Sequence, residues 1–472
     1  MDERSTIAEF LVNHKASKAV SFHMPGHKGR ESIFVQCGYG DFFKNMVGND
    51  ITEIPGADNL HDPKGTIARV KENYAALYGV KYTELLINGS SAGIIASILA
   101  TVPRGGKLIL GRNSHHSVFS AMKLGGITPV YLRPETDRES GMQTFISPDE
   151  LRSVIGKNTD ASAVLITSPN YFGVLSDIGK ISEICHEYNM PLIVDEAHGA
   201  HLVFFDRDSE HRFAAENLGA DVVVCSTHKT LLSFTGTGIL NVCSDRVDIV
   251  RIREYLSMIQ TTSPSYPLIG SLDINERIMR RHSTEMVRSW KQDLIFFYFK
   301  SKMVSVLDVF THPMLDMTKI NLSMASLGIS GEKLGRELRY RNIWVEMVHG
   351  DYVMLMTGAG NNRSDYAALI DALNSIASEY GVGRKAKVIR KAYPDFDLEI
   401  REIPEAKERV SFFQTEGRVM ASPIIIYPPG YPVICPGELM TFEVISYISN
   451  ALSNGDSIVG IDGDGYVEVG IE

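Results

Sequence analysis

The chain has 472 residues, of which 44% are hydrophobic and 22% are charged, the proportions of an ordinary globular protein. At this length about two to four domains or subdomains are expected, with ample buried core. The 47 lysines and arginines against 57 aspartates and glutamates give a net charge of −10. This charge argues against nucleic acid as a partner, because phosphate binding needs a basic surface.

Cysteine usage and the apolar runs indicate the compartment. The five cysteines are scattered without a Cys-x-x-Cys pair, which is typical of a reducing compartment and disfavours a disulfide framework. The N-terminal residues include acids where a signal peptide needs a basic and then an apolar region. The longest apolar runs fall far short of the ~20 residues of a membrane span. We therefore expect a cytoplasmic protein that does not bind or cross a membrane.

The predicted elements divide the chain into three regions. A short helix is expected within residues 1–20, and residues 21–65 are too long for a structureless loop, so we expect that stretch to be functional or packed on a partner. Short β-rich runs alternate with helical patterns from about residue 66 to 260, which predicts a mostly parallel sheet covered on both faces, within a large domain at residues 66–310. A long helical pattern at about 269–306 precedes a smaller α+β region at 311–472.

The predicted strands of the central region are short apolar runs. They are 84–87, 107–110, Thr128–Leu132, Ala163–Thr167, Leu192–Asp195, Val222–Cys225 and Gly238–Val242. In the last region, strands are predicted near residues 320 and 345, at Tyr352–Met356 and at Ile424–Tyr427. Two of the central runs end directly in polar residues, at Asp195 and before Ser226, and ligands gather beyond the carboxyl ends of such strands.

Two enzyme classes are excluded by missing motifs. Residues 195–198 read Asp-Glu-Ala-His, as in helicases, but no Gly-Lys pair of the chain is followed by the Ser or Thr of a phosphate-binding loop. A zinc hydrolase needs a motif such as His-Glu-x-x-His, which the residues after His186 break, and His198 and His201 lack an obvious third ligand. We expect no metal.

Three further features together predict a site for pyridoxal phosphate. Lys229 follows an apolar strand, and a desolvated, neutral amine can form a Schiff base, although alone this residue would read as a loop lysine. Asp195 ends another apolar strand, where a carboxylate can keep a pyridinium nitrogen protonated. The Asn-Gly-Ser-Ser-Ala-Gly run at 88–93 opens a predicted helix and offers backbone N–H groups and hydroxyls to a phosphate.

Several ordered motifs carry a resemblance over nearly the whole chain. They begin at residues 23–29 (HMPGHKG), 54–65 (IPGADNLHDPKG), 88–93 (NGSSAG) and 112–117 (RNSHHS), and continue at 195–201 (DEAHGAH), 226–229 (STHK), 261–266 (TTSPSY), 427–432 (YPPGYP) and 436–438 (PGE). With them the chain resembles the Orn/Lys/Arg decarboxylase family of fold type I pyridoxal-phosphate enzymes. The resemblance implies an α/β fold, with a large domain around a mostly parallel central sheet and a smaller C-terminal α+β domain.

The resemblance also implies roles for individual residues. Lys229 matches the lysine that carries the cofactor, Asp195 the acid paired with the pyridine nitrogen, and His115 the histidine stacked on the ring. His198 stands where larger relatives often carry tryptophan. The full set of expected cofactor contacts is Ser90, Ser91, Ala92, His115, Asp195, Ala197, His198, Ser226, His228 and Lys229.

The expected assembly is a homodimer or a dimer-based oligomer. Thr262 and Ser263 lie in a segment that resembles one reaching into the neighbouring subunit's site, and residues 1–65 are expected to contribute to the active site or the dimer. Larger relatives carry an N-terminal wing domain; the HMPGH motif begins at His23, so we expect that domain to be absent and do not carry over decameric assembly. Glu438 is a candidate partner for the distal cation of the substrate, with a structural turn as the alternative.

The expected reaction is decarboxylation of a basic L-amino acid, feeding polyamine metabolism. Arginine to agmatine is favoured, lysine to cadaverine is second and ornithine is third. Another fold type I reaction, by a transaminase or a lyase, stays open because the fold does not determine the chemistry. A catalytically silent binding subunit is disfavoured, because Lys229 and Asp195 are both present.

Overall fold

The computed structural model describes residues 6–381, 396, 398–427 and 432–471. The helices are α1 (Ile7–Ser17), α2 (Glu31–Gln36), α3 (Gly40–Lys44), α4 (Thr66–Tyr78), α5 (Gly89–Thr101), α6 (His116–Gly125), α7 (Pro148–Lys157), α8 (Ile178–Glu187), α9 (Leu202–Phe205), α10 (Thr227–Thr230), α11 (Ile249–Ile259), α12 (Tyr266–Ser301), α13 (Gly331–Tyr340), α14 (Arg363–Tyr380) and α15 (Phe442–Asn454).

The strands are β1 (Val20–Phe22), β2 (Tyr82–Leu86), β3 (Lys107–Gly111), β4 (Thr128–Leu132), β5 (Pro134–Thr136), β6 (Gln143–Ile146), β7 (Ala163–Thr167), β8 (Leu192–Asp195), β9 (Val222–Cys225), β10 (Gly238–Val242), β11 (Asp308–Val309), β12 (Lys319–Ser323), β13 (Ile343–Val345), β14 (Met347–His349), β15 (Tyr352–Met356), β16 (Lys407–Ser411), β17 (Ile424–Tyr427), β18 (Pro432–Ile434), β19 (Ser457–Val459) and β20 (Tyr466–Gly470).

The chain divides into two units that are interleaved along the sequence. The large-sheet unit comprises Glu53–Ser226, Gly238–Pro264 and Ala392–Glu472, and the small-sheet unit comprises Met1–Thr52, Thr227–Thr237 and Ser265–Lys391. The three-part division predicted at residues 65 and 310 stays a prediction.

The large-sheet unit is built on a seven-stranded sheet. Its strand order is β2-β10-β9-β8-β7-β3-β4, and β10 runs antiparallel to both of its neighbours while the remaining pairs are parallel. The mostly parallel sheet confirms the α/β prediction. The seven apolar runs predicted as strands in the central region all form strands of this sheet, because each is mostly buried and bounded by turn residues.

Helix α5 packs closely against this sheet. Ile94 and Ile98 are fully buried in the core that Leu86 and Val224 also line, and burial of side chains of this size stabilises the fold by about 1.5–3 kcal/mol each. A Cβ atom at Gly93 would lie 2.7 Å from Leu86 Cδ1 and 2.8 Å from Val224 Cγ1. Only glycine therefore allows the start of α5 to approach the ends of β2 and β9 this closely.

The small-sheet unit contains an antiparallel sheet of order β11-β12-β15-β14, a parallel pair of β1 with β13, and the long helix α12. The predicted helix at 269–306 is observed at Tyr266–Ser301, where Pro267 occupies the first turn. Residues 21–65 contain α2, α3 and all of β1 except Val20, and Phe34 and Phe43 pack with their ring centroids 4.0 Å apart. No helix in the described part of the chain combines the length and apolar character needed to cross a bilayer.

Candidate active site

The predicted cofactor residues of the large-sheet unit follow one edge of its sheet. Strands β3, β7, β8 and β9 are parallel, and β2 runs in the same direction because β10 is antiparallel to both β2 and β9. The carboxyl ends of all five strands therefore lie at the same edge. Ser90, His115 and Ser226 follow three of these strands, and Asp195 is the last residue of a fourth.

Two of the predicted phosphate ligands are in direct contact. Ser226 Oγ donates a hydrogen bond of 2.9 Å to Ser90 Oγ, so the residue after β9 meets the first turn of α5. Ser226 is fully buried, whereas Ser90 and Ser91 are partly exposed. The chain turns into α5 at Gly89, whose φ of +73° lies in the left-handed region that glycine adopts without strain.

The start of α5 is suited to an anion. Within the described residues the helix has no side-chain cap, since Asn88 accepts no hydrogen bond from the first turn. The backbone N–H groups there carry the positive end of the helix dipole, and two hydroxyls stand beside them. Ser90, Ser91, Ser226 and the amide of Ala92 would therefore hold the phosphate of pyridoxal phosphate.

Asp195 is the last residue of β8 and is buried, with 3% of its surface exposed. Its Oδ1 accepts a hydrogen bond of 3.1 Å from the N–H of Ala197, which fixes the carboxylate at the sheet edge. A buried carboxylate favours a cationic or N–H partner, and the protonated nitrogen of a pyridine ring supplies both.

Ser117, in the first turn of α6, holds the ring of His115 in one orientation. It forms the N-cap of α6, and its Nδ1 accepts a hydrogen bond of 3.2 Å from the N–H of Ser117 and lies 2.9 Å from Ser117 Oγ. A neutral ring that accepts at Nδ1 carries its proton on Nε2. His115 therefore presents an N–H donor on the side away from the helix.

His198 lies against Tyr171, with ring centroids 4.8 Å apart and an interplanar angle of 60°. Tyr171 follows β7 as His198 follows β8, so the two rings belong to neighbouring strand ends. His198 is buried, and the structure thus gives this residue a packing role that the sequence motif did not include.

A potential metal-binding cluster lies in the same unit. One ligand atom each from Glu196, Glu216 and Cys225 lies within 4.8 Å of the others. Burial raises the pKa of Glu216 and raises the pKa of the Cys225 thiol well above its usual range, which favours protonated forms over metal ligands. Glu216 Oε1 accepts hydrogen bonds from Asn241 Nδ2 and Cys225 Sγ, so hydrogen bonding within the chain occupies this cluster. The expectation of no metal stays a prediction.

Lys229 lies in the small-sheet unit, on the short helix α10 that follows Ser226 along the chain. Its side chain is partly buried, and its neighbour His228 is buried. Burial lowers the pKa of His228 to about 4, and its Nδ1 lies 2.6 Å from the carbonyl oxygen of Thr237. His228 is therefore a neutral residue that ties the start of the lysine loop to its end.

A chain of buried hydroxyls closes the same loop. Ser233 Oγ donates to Thr227 Oγ1 at 2.7 Å, and Thr237 Oγ1 lies 2.8 Å from Ser233 Oγ. Leu232 N–H donates to Asn275 Oδ1 on α12 at 3.0 Å. Both ends and the middle of residues 227–237 are thus fixed before any ligand binds.

The HMPGH motif contacts this lysine loop through its backbone. Gly26 N–H donates to the carbonyl of His228 at 2.7 Å, and a Cβ atom at Gly26 would lie 2.2 Å from the carbonyl oxygen of Leu231. The partly buried Lys28 donates from Nζ to the carbonyls of His23 at 2.5 Å and Met356 at 2.9 Å. The motif therefore supports the loop that bears Lys229.

Glu438 is held by a buried ion pair. Arg112 donates from Nε to Glu438 Oε1 at 2.6 Å and from Nη2 to Oε2 at 2.8 Å, and Cys435 N–H donates to the same Oε2 at 2.7 Å. Glu438 has 1% of its surface exposed. These contacts favour the structural alternative for Glu438, and its role toward a substrate cation stays a prediction.

Thr262 and Ser263 are exposed in the connection between α11 and α12. Ser263 N–H donates to Thr261 Oγ1 at 3.3 Å, and His61 Nε2 lies 2.9 Å from the carbonyl oxygen of Thr261. The connection is thus anchored at its first residue. Of the YPPGYP motif, residues 428–431 lie outside the described residues.

Comparison with known proteins identifies the family. Residues 6–305 match the family described as Orn/Lys/Arg decarboxylase, major domain, and residues 390–463 match its C-terminal domain. The chain belongs to the Orn/Lys/Arg decarboxylase family. It is accordingly a pyridoxal-phosphate-dependent amino-acid decarboxylase that acts on a basic amino acid, which confirms the predicted family, reaction class and cofactor.

Individual relatives cover nearly the whole chain. An arginine decarboxylase of Bacillus anthracis is 31% identical, over 95% of this chain and 93% of its own length. The lysine decarboxylase LdcA of Pseudomonas aeruginosa is 23% identical, over 96% of this chain and 77% of its own length. The solved structure of the constitutive lysine decarboxylase of Escherichia coli aligns with a TM-score of 0.74 and 20% identity, covering 98% of this chain and 81% of that one. This likeness confirms the fold type I architecture.

Three residues make the side-chain contacts described above but had no role assigned from the sequence: Arg112, Lys28 and Tyr171. Arg112 and Lys28 stand inside quoted motifs, so their positions were visible, but their partners Glu438 and Met356 lie more than 300 residues away along the chain. Tyr171 stands in no motif, and its place after the predicted strand Ala163–Thr167 was the available signal.

Proposed function

We propose that the protein decarboxylates L-arginine to agmatine and so supplies polyamine metabolism. The observation that carries the proposal is the identity of 31% over nearly the full length of a relative named as an arginine decarboxylase, against 23% for one named as a lysine decarboxylase. Lysine is the second candidate and ornithine the third.

In the proposed mechanism, Lys229 would carry the cofactor, and Ser90, Ser91 and Ser226 would hold its phosphate. Bound pyridoxal phosphate supplies an electron sink for the electron pair left when the substrate's carboxylate departs as carbon dioxide. Asp195 would keep the ring nitrogen protonated. His115 would help to hold the ring and would offer it the Nε2 proton, since His115 Nδ1 accepts a hydrogen bond from Ser117 N–H.

The neutral state of His228 also affects the charge around Lys229. Its pKa of about 4 leaves no second positive charge on the residue beside Lys229 at neutral pH. A neighbouring cation of this kind would lower the pKa of a lysine amine by charge repulsion. His228 is therefore proposed to fix the backbone around Lys229 and not to transfer protons.

We propose further that the working assembly is a homodimer or a dimer-based oligomer in which Thr262 and Ser263 contribute to the neighbouring subunit's site. The support is their exposure in the single chain, between two helices that hold both ends of the connection. Mixing two inactive variants tests this. Subunits carrying Lys229→Ala and subunits carrying a bulky change at Ser263 should form hybrids with one intact site, which restores about a quarter of the sites under random pairing. No regain in a confirmed hybrid would contradict the shared site.

A substrate panel tests the proposed reaction. The holoenzyme is offered L-arginine, L-lysine and L-ornithine separately, and the amine products are quantified by mass spectrometry, with the Lys229→Ala protein as the control. Agmatine as the dominant product is expected. Cadaverine as the dominant product would identify lysine as the substrate in place of arginine, and putrescine would identify ornithine. If a protein with bound cofactor gave no amine from any of the three, the proposed reaction would be overturned.

A further inference from the structure

The turn at residues 111–114, which precedes His115, is bound by residues from the C-terminal part of the chain. Arg112 directly follows β3, and its N–H donates to the carbonyl of Leu132 at 2.8 Å, which extends the pairing of β3 with β4 by one residue. Ser114 then closes the turn, donating from N–H and Oγ to the carbonyl of Gly111 at 3.0 and 2.6 Å. His115 follows as the N-cap of α6.

The anchor of this turn is the side chain of Arg112. It is nearly buried, with 7% of its side chain exposed, and it makes a two-point contact with the carboxylate of Glu438. Arg112 Nη2 also donates to the carbonyl of Val433 at 2.8 Å. Paired, planar contacts of this type fix orientation as well as distance.

Glu438 is itself fixed. The Pro-Gly-Glu turn is closed by the contact from Cys435 N–H to Glu438 Oε2, and its Pro436 carbonyl accepts a hydrogen bond of 2.8 Å from Tyr131 OH on β4. The carboxylate thus receives three donors, all from this chain. A further cationic ligand would have to compete with a buried guanidinium at optimal distance.

We propose that Arg112 and Glu438 are positioning residues, which fix the turn before α6 so that the His115 imidazole is preset for the cofactor ring. This inference rests on the proposed role of His115. It gives Glu438 a function in the resting enzyme, before substrate binds.

The test measures cofactor affinity without substrate. Pyridoxal phosphate is titrated into the apo-protein, and its affinity is followed by absorbance for the native chain, for Glu438→Gln and for the paired replacement Arg112→Met with Glu438→Met. Each variant is also made with His115→Ala. The paired replacement removes both charges together, which protects folding if the single change leaves a buried guanidinium unpaired.

A loss of affinity of about tenfold or more is expected for both variants when His115 is present, because a small misplacement of a contacting group is costly. With His115→Ala the same changes should cost about twofold or less, since the residue being positioned is gone. Lys123→Met is the matched control: Lys123 on α6 contacts Glu468 on β20 at 3.0 Å, but both side chains are partly exposed, and affinity should stay within about twofold.

Two results would overturn the proposal. An equal loss with and without His115 would show that the ion pair supports the fold alone. Unchanged cofactor affinity, together with a raised KM for the amino acid that the product panel identifies, would return Glu438 to substrate binding. Because cofactor affinity is measured without substrate, failure of the arginine proposal in the product panel leaves this test intact.

Discussion

At the scale of single residues, Lys229 is the side chain on which the proposed chemistry depends. Lys229→Ala should abolish decarboxylation and remove the visible absorbance of the lysine-bound cofactor, because the proposed covalent attachment uses the Lys229 amine. Spectra and product assays of the purified variant check this. Lys157→Ala, at an exposed lysine on α7, is the control and should behave as the native protein. Normal turnover of the Lys229 variant would refute the assignment.

Asp195 allows a second residue-level test. Asp195→Asn keeps an oxygen that can accept the Ala197 N–H but loses the negative charge, so turnover should fall by several orders of magnitude while the fold is retained. Steady-state kinetics and circular dichroism measure the two properties. Near-native turnover in the folded variant would show that the carboxylate does not hold the ring nitrogen's proton.

At the scale of elements, the backbone contact between the HMPGH motif and the lysine loop makes a specific prediction. Gly26→Ala would place a methyl group 2.2 Å from the carbonyl oxygen of Leu231, and the backbone must shift. We expect a loss of about 1–3 kcal/mol in the free energy of unfolding and weaker cofactor retention. Urea titration and dialysis measure these effects.

Gly48→Ala is the matched control for that substitution. A Cβ atom at Gly48 meets no atom within 4 Å, and the residue lies in the same N-terminal segment. It should leave both properties unchanged. If the two variants behaved alike, the close contact of Gly26 would not be what supports the loop.

The strands also show how much of the fold could be predicted from the sequence. The strands Ala163–Thr167, Leu192–Asp195 and Val222–Cys225 are short apolar runs closed by polar residues, so their bounds were correct. The short strands Pro134–Thr136 and Ser457–Val459 were not predicted, because they are neither continuously apolar nor long enough to show a period. The candidate residues of the cofactor site could be proposed from their positions at the ends of strands and from the family motifs.

Long-range side-chain pairing is the part that no local pattern reports. Arg112 and Glu438 are 326 residues apart, and each alone reads as an ordinary charged residue in a turn. Their burial follows from the tertiary fold. From the sequence, a substrate contact and a structural turn both stayed open for Glu438. The structure shows both of its carboxylate oxygens engaged by Arg112.

At the scale of the whole molecule, three partly or fully buried histidines make stability depend on pH. Burial lowers the pKa of His27, His228 and His349 to about 4 each, from an ordinary value of about 6.5. Because the unfolded chain binds these protons first, their contribution is complete above about pH 6.5 and is lost as the pH falls toward 4. The protein should therefore lose stability progressively in this window.

His349→Gln tests that dependence away from the lysine loop. The variant should flatten the fall of unfolding free energy between pH 6.5 and 4 by at most about 1.4 kcal/mol per pH unit. Urea titrations at pH 7, 6 and 5 provide the measurement. His211→Gln, at an exposed histidine, is the control, and an identical slope in the two variants would contradict the role of His349.

The pairing of β1 with β13 has a consequence for biosynthesis. Val20 in β1 pairs with Ile343 in β13, which leaves the ribosome about 320 residues later, so β1 has no partner strand until then. At 5–20 residues per second this delay is roughly 16–65 s, far longer than local helix or hairpin formation. During translation the nascent N-terminal segment, with Phe22 among its unburied residues, must remain unpaired for that time, which makes it a natural target for chaperones on the growing chain.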